Sequence, residues 1–376
     1  MSLPARDGVV GSGIVGLALA HALARRGRRV TVFERDRRPQ GASVRNFGTL
    51  WPIGQPAGPR RVLALRSVDI WREVLDAAYA WSAPCGSLHL AYHDDELCVL
   101  TEFAESASAD GFPCELLDPE QTRLRCRQVQ SRGLLGALWS PHELQVNPRQ
   151  VLPLVSDWLG EQFGVQFERC TQVTSVHGPQ VRAGERAWHV DRVWIAAGDD
   201  LRTLYPEPFR GLRLRRCKLQ MMRTTPMPWT LGPILAGGLT LGHYESFANC
   251  PSLPALRSRL ALEWPRQMAY GIHVLAAQHQ EAELVLGDSH EYDEHIEPFD
   301  KAEIDTLVLD YLQTFLPLPA TVLTERWHGI YVKHLREPYC VFSPDAGVVA
   351  VTGLGGHGMT LSFGLAEEVV EAWIDR

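Results

Sequence analysis

The sequence predicts an α/β + α+β fold of two lobes, one a helix-wrapped parallel sheet and the other a mixed, largely antiparallel sheet. Three observations predict it: a glycine-rich strand–turn–helix–strand at the start, a second glycine cluster before a terminal helix, and alternating segments between them. A single core stops growing near ~250–300 residues, so a chain of 376 residues that is 45% hydrophobic divides naturally into two lobes.

The N-terminal unit is the most specific. A short apolar strand ending at Val9-Val10 enters Gly11-Ser12-Gly13-Ile14-Val15-Gly16, an alanine- and leucine-rich helix follows to about Arg26, and Gly27 caps it. Arg29–Phe33 reads as a second strand and ends in Glu34. This context makes the glycine pattern a Rossmann-like dinucleotide fingerprint. Gly11 makes the tight turn, Gly13 lets backbone N–H groups approach a pyrophosphate, and Gly16 lets helix and strand pack closely. The helix N-terminus adds partial positive charge toward the phosphates. Glu34 accepts from the adenosine ribose and disfavours a 2′-phosphate, but by itself leaves NAD and FAD both open.

Composition narrows the rest. Charged residues make up 22% of the chain and the net charge is -7. That balance disfavours a nucleic-acid binder while leaving room for a local basic pocket. The eight cysteines contain no Cys-x-x-Cys pair, so neither a metal site nor a disulfide framework is expected, and a reducing cytoplasm fits best. Val9–Ala24 superficially resembles a signal peptide, but most of its positive charge follows the apolar run instead of preceding it. No stretch is long and apolar enough to span a bilayer.

Further segments recur in order: Gly41-Ala42-Ser43-Val44-Arg45-Asn46-Phe47-Gly48, then Val193–Gly198, then Val349–Thr360 leading into a helix to about Trp373. Together with the first unit they resemble the D-amino-acid oxidase/glycine oxidase/sarcosine oxidase family of flavoenzymes over the whole chain. The resemblance implies FAD, held by Gly11, Gly13, Ile14, Val15, Gly16, Glu34 and Arg35, by Ala42, Ser43, Arg45, Asn46, Phe47 and Gly48, and by Val173, Ala197 and Gly198. It adds Gly353, Gly355, Gly356, His357, Gly358, Met359 and Thr360, where a helix N-terminal dipole can face the flavin. Relatives that attach FAD covalently carry a cysteine shortly before the C-terminal strand pair. The matching Trp327–Tyr331 has none and Cys340 lies too far along, so non-covalent FAD is expected. The implied FAD domain is discontinuous, 1–60, 145–205 and 325–376. A substrate domain takes 61–144 and 206–324, where Arg216–Thr224 and Glu283–Gly287 read as antiparallel strands.

Arg216–Thr224, His243–Phe247, Gly287–Tyr292 and Gly355–Phe363 are similar to a subgroup of that family associated with phosphonate degradation. The similarity implies oxidation of 2-aminoethylphosphonate or its N-methyl derivative to phosphonoacetaldehyde plus ammonia or methylamine, with O₂ reoxidising the flavin. Amino-acid oxidases of the family commonly carry a carboxylate-clamping arginine where Tyr331 stands. A tetrahedral phosphonate instead suits several separated donors, for which Lys218, His243, Tyr244, Tyr331, Lys333 and Arg336 are candidates. Each also has an ordinary structural role available, such as a snorkelling Lys218 or an Arg336 paired with Glu337. Two alternatives stand beside this one: an enzyme acting on glycine, sarcosine, a D-amino acid or a 2-hydroxy acid, and a flavin-binding subunit of a larger complex.

Overall fold

A computed structural model describes residues 5–318 and 323–374. Strand β1 (Arg6–Val10) feeds helix α1 (Ile14–Ala24), which returns to β2 (Arg29–Phe33) lying parallel to β1. Helix α1 is apolar on every side, and ten of its eleven residues are buried. It therefore runs through the lobe and not over its surface. Gly16 permits this, because a Cβ there would sit 1.9 Å from the Gly11 carbonyl oxygen. Gly11 itself adopts a φ of 99°, a turn that a side chain would strain.

The first sheet is completed by β3 (Gln166–Glu168), β4 (Arg192–Ile195), β5 (Cys340–Asp345) and β6 (Val348–Thr352), in the order β5-β6-β4-β1-β2-β3. All neighbours are parallel except the β5–β6 pair. Chain from both ends of the sequence thus meets in one sheet. From β6 the chain enters helix α2 (Gly358–Trp373), the terminal helix expected from sequence.

Two segments sit differently from the sequence-based partition. Helix Pro59–Ala77, mostly assigned to the substrate domain, buries Ala64, Val68, Trp71 and Leu75 in the same core as α1 and α2. Their spacing of four, three and four residues makes one helical stripe. Strand Leu323–His334, assigned largely to the FAD domain, pairs along nearly its whole length with Leu214–Pro226 of the second sheet. That second sheet has nine strands and is mixed and mostly antiparallel, with Met222 opposite Leu286 and Arg223 opposite Val285, as expected. Among the described residues no helix is long and apolar enough to cross a membrane.

Asp7 ties the centre of the first sheet together. Its side chain is fully buried; Oδ1 accepts from Trp194 Nε1 at 2.8 Å and Oδ2 accepts from Arg28 Nε at 2.5 Å. Removing one partner of such a group strands the others, at a cost of about 3–5 kcal/mol. Asp7→Ala should therefore lower the apparent unfolding temperature by several degrees, while Asp7→Asn, which keeps an acceptor for Trp194, should lose less. Equal melting of all three proteins would show that the pairing contributes nothing.

Candidate active site

Two connected clefts lie along the C-terminal ends of β1, β4 and β6. The first is lined by Gly11, Gly13, Ile14, Val15, Glu34, Arg35, Ala42, Ser43, Val173, Ala197, Gly198, Gly353, Gly355 and Gly358. Glu34 anchors it: Oε2 accepts from the Ser12 amide (3.0 Å) and hydroxyl (2.7 Å), and Oε1 accepts from the Asp36 amide (3.0 Å). One carboxylate has about four acceptor positions, so it can still receive a ribose hydroxyl from the cleft it lines. At Gly198, φ 66°, a Cβ would meet nothing within 4 Å. That is the bare backbone wall a dinucleotide needs. The residues present therefore fit FAD.

The second cleft shares Ile14, Ala42, Ser43, Tyr331, Gly355 and Gly358 with the first, and adds Arg45, Asn46, Phe47, Gly356, His357, Met359 and Thr360. The start of α2 is fixed from behind, with Trp71 Nε1 donating to the Met359 carbonyl at 2.8 Å and the Trp51 amide donating to Thr360 Oγ1 at 2.9 Å. Gln55 Nε2 donates to His357 Nδ1 at 2.9 Å, leaving the imidazole proton on Nε2. Two expected cofactor contacts line neither cleft. Gly16 serves the turn described above. Gly48, φ 75°, admits the Val146 carbonyl oxygen, which would lie 2.0 Å from a Cβ. No cysteine lines either cleft.

Beyond the shared wall the second cleft is polar at one end. His243, Tyr244, His273, Asp288, His290, Tyr292, Tyr331 and Lys333 all face it. Asp288 Oδ1 lies 3.1 Å from His273 Nε2, and Asp288 Oδ2 lies 3.9 Å from His290 Nε2. His290 Nδ1 is 2.9 Å from the Gly271 carbonyl. The Tyr292 and Tyr331 hydroxyls stand 3.5 Å apart. Burial drives the titrating groups toward their neutral forms. It lowers His290 to about 4 and His357 to about 3, takes His243 and His273 well below the usual imidazole range, and raises Asp288 well above the carboxylate range. His243 has an accessible surface, yet protein surrounds it; what it is exposed to is the cavity, not bulk solvent.

Of the six residues expected at the substrate, His243, Tyr244, Tyr331 and Lys333 line this cleft, and two lie elsewhere. Lys218 is 1% exposed and turned away. Its Nζ donates to the carbonyls of Glu297 and Phe299 and pairs with Asp300 at 2.9 Å. The pleat explains this, since its neighbour Leu219 lines the cleft and successive side chains alternate faces. Arg336 is exposed in the turn after strand Leu323–His334 and borders neither cleft. His273, Asp288, His290 and Tyr292 are site residues that the sequence did not single out one by one. The only sequence signal was the Gly287–Tyr292 string at the end of a strand; nothing marked His273.

The model of the family described as FAD dependent oxidoreductase, DAO, matches residues 8–372. The chain is 25% identical over 391 aligned positions to the tRNA 5-methylaminomethyl-2-thiouridine biosynthesis bifunctional protein MnmC of Stutzerimonas stutzeri, covering 98% of this chain and 56% of that protein. It is 41% identical over 73 residues to a D-amino-acid oxidase of Streptomyces coelicolor, 18% of this chain and 23% of that one. The chain thus spans little more than half, or less, of these curated relatives. Among solved structures it resembles glycine oxidase from Bacillus cereus, with TM-score 0.80 and 17% identity over 98% of this chain and 94% of that one. L-proline dehydrogenase from P. horikoshii gives TM-score 0.79 and 19% identity over 99% and 93%. At such identity these two likenesses speak for the fold alone.

Glu34→Gln should weaken FAD binding by about one to two decades, the loss of charge-assisted bonds of ~1.5–3 kcal/mol, measured by titrating flavin-free protein with FAD. Unchanged affinity would remove Glu34 from the nucleotide site. In the unsubstituted protein, acid precipitation should leave the flavin in the supernatant; a yellow pellet would mean covalent attachment.

Proposed function

This chain belongs to the DAO family of FAD-dependent oxidoreductases, and on that premise we propose that it oxidises a small amine bearing a tetrahedral anion, 2-aminoethylphosphonate or its N-methyl derivative. The observation that carries the reading is Lys333. It lines the second cleft, and among the described residues no carboxylate lies within 4.0 Å of its ammonium group. A cation facing a cavity without a counter-ion is a binding site for an anionic ligand. The other donors lining the same cleft come from separate side chains. Tyr292 and Tyr331 contribute separate hydroxyls, and the Arg45 guanidinium is engaged with the His328 carbonyl at 3.1 Å. Scattered donors suit three tetrahedral oxygens better than one flat carboxylate.

Glu34, the Gly11–Gly16 turn and the start of α2 would hold the dinucleotide across both clefts. When bound, FAD would accept a hydride, two electrons with one proton, from the carbon next to nitrogen, and would pass the two electrons to O₂, which with two protons gives peroxide. The chain's own residues prepare the amine for this. Phe47, Leu219, Met221 and Leu275 form apolar walls along the cavity, so an ammonium entering it loses hydration. Desolvation favours the neutral amine, whose lone pair is what expels hydride. The resulting imine takes up water and splits into phosphonoacetaldehyde and ammonia or methylamine. Oxidation of an α-amino acid is the second reading, supported by the D-amino-acid oxidase similarity. The uncompensated Lys333 suits both anions, while Tyr331 in place of an arginine favours the phosphonate.

Anaerobic bleaching of the flavin by 2-aminoethylphosphonate, its N-methyl form, sarcosine and D-alanine separates these readings. Bleaching by the phosphonates at far lower concentration is expected; preference for an amino acid would sink the proposal. Lys333→Met should weaken the phosphonate by about one to two decades, from the loss of ~1.5–3 kcal/mol, and an uncharged alkylamine much less. Equal losses would move Lys333 from the anion to the flavin. The bleaching rate constant divided by the apparent dissociation constant should rise with pH, since only the neutral amine reacts. Its inflection should shift with the amine pKa across a substrate series; an inflection that stays fixed would belong to a protein group instead.

A further inference from the structure

We propose that His243, His273 and His290 form a binding site for a divalent transition-metal ion, Zn²⁺ in the first place, with Asp288 as its carboxylate partner. One ring nitrogen from each histidine falls within 4.8 Å of the other two. Zn–N bonds of ~2.0–2.1 Å in a tetrahedral set hold nitrogens ~3.4 Å apart, so closing the triad moves each ring by under about 1 Å.

The surrounding hydrogen bonds prepare lone pairs for a metal. His290 Nδ1, 2.9 Å from the Gly271 carbonyl, must carry the proton, which leaves its Nε2 unprotonated. Asp288 Oδ1 stands 3.1 Å from His273 Nε2 but without hydrogen-bond alignment, so a carboxylate lies beside the triad with a buried oxygen still lacking a hydrogen-bond partner among the described residues. His273 Nδ1 is likewise buried without a hydrogen-bond partner among the described residues. Buried polar atoms with no partner are costly unless something binds there. His243 completes the triad from the cavity side, its ring centroid 4.0 Å from that of His273 and 4.5 Å from that of His290. A metal takes imidazoles in their neutral form, and all three rings here lie in the cavity wall. The carboxylate supplies compensating charge once the ion is present.

Three protein nitrogens leave a tetrahedral ion one open position, as in catalytic zinc sites. All three histidines line the cavity that Lys333 lines. If the substrate class proposed above is right, the ligand for that position is an oxygen of the phosphonate. The metal site itself rests on the histidine geometry alone.

The test uses FAD-containing protein, stripped with chelator and dialysed against Zn²⁺ or Co²⁺. One ion per chain is expected by elemental analysis, with Co²⁺ giving tetrahedral ligand-field bands to the red of the flavin absorption. His243→Ala, His273→Ala and His290→Ala should each abolish stoichiometric binding, and Asp288→Asn should weaken it about 10–100-fold. The exposed His177→Ala serves as control. Retained flavin absorbance identifies folded variants, and His243, facing the cavity, can be truncated without opening a packing void. Absence of a bound ion, or binding that survives all three histidine substitutions, overturns the site. Methylphosphonate should perturb the Co²⁺ bands; an unaltered spectrum overturns the open position. If the ion binds but aminoethylphosphonate fails to bleach the flavin, the substrate reading falls and the metal site stands.

Discussion

The antiparallel ladder between Leu214–Pro226 and Leu323–His334 is the constraint on which the substrate half of this molecule depends. Cys217 pairs with Tyr331, Lys218 with Ile330, and Leu219 with Gly329. Because side chains alternate across a pleated strand, Leu219, Met221, Tyr331 and Lys333 share the face that lines the cavity. Lys218 and His328 share the other, where both reach Asp300. A shift of one residue would exchange the two sets and put the cavity wall on the wrong side. The same strand ends beside the start of the cofactor cleft, with Lys333 bridging to Leu354, so one ladder sets both the cavity wall and its distance from the dinucleotide.

That ladder also shows where reading the sequence stops. The dinucleotide half was legible because its chemistry is local: turn, helix and Glu34 lie within one short unit, and each glycine has a steric reason visible in the string. Gly48 was misread because the close approach that excludes a side chain there comes from the Val146 carbonyl, almost a hundred positions away. Lys218 and Tyr331 were both expected at the anion, yet cross-strand register forbids it, and register is not written in either strand alone. The three histidines come from a short helix, a loop and a short link between two strands, so their convergence exists only in the folded chain. Eight scattered cysteines argued against a metal, and no spacing rule argued for one through imidazoles so far apart in sequence.

Lys218 has its own consequence for the cavity. Fully buried, it offers three donors and finds Asp300 and two carbonyls. It fastens the segment around Glu297–Asp300, and Gln220 holds the next residue by accepting from the Lys301 amide at 2.8 Å. On the back of the ladder Lys218 and Gln220 are therefore paired, while on its front Lys333 keeps an ammonium without a carboxylate among the described residues. Charge left unpaired on one face and saturated on the other distinguishes a recognition surface from a structural one.

The walls common to the two clefts tie occupancy to survival of the protein in a cell. Ile14, Ala42, Ser43, Tyr331, Gly355 and Gly358 border both spaces, so a bound dinucleotide would lie against the same walls as the substrate. A ligand present at a hundred times its dissociation constant stabilises the folded state by about 2.7 kcal/mol. A shift of ~1–2 kcal/mol is enough to change steady-state abundance several-fold. Riboflavin supply would then set how much of this chain escapes proteolysis, and scarcity of the vitamin would remove the protein as well as silence it.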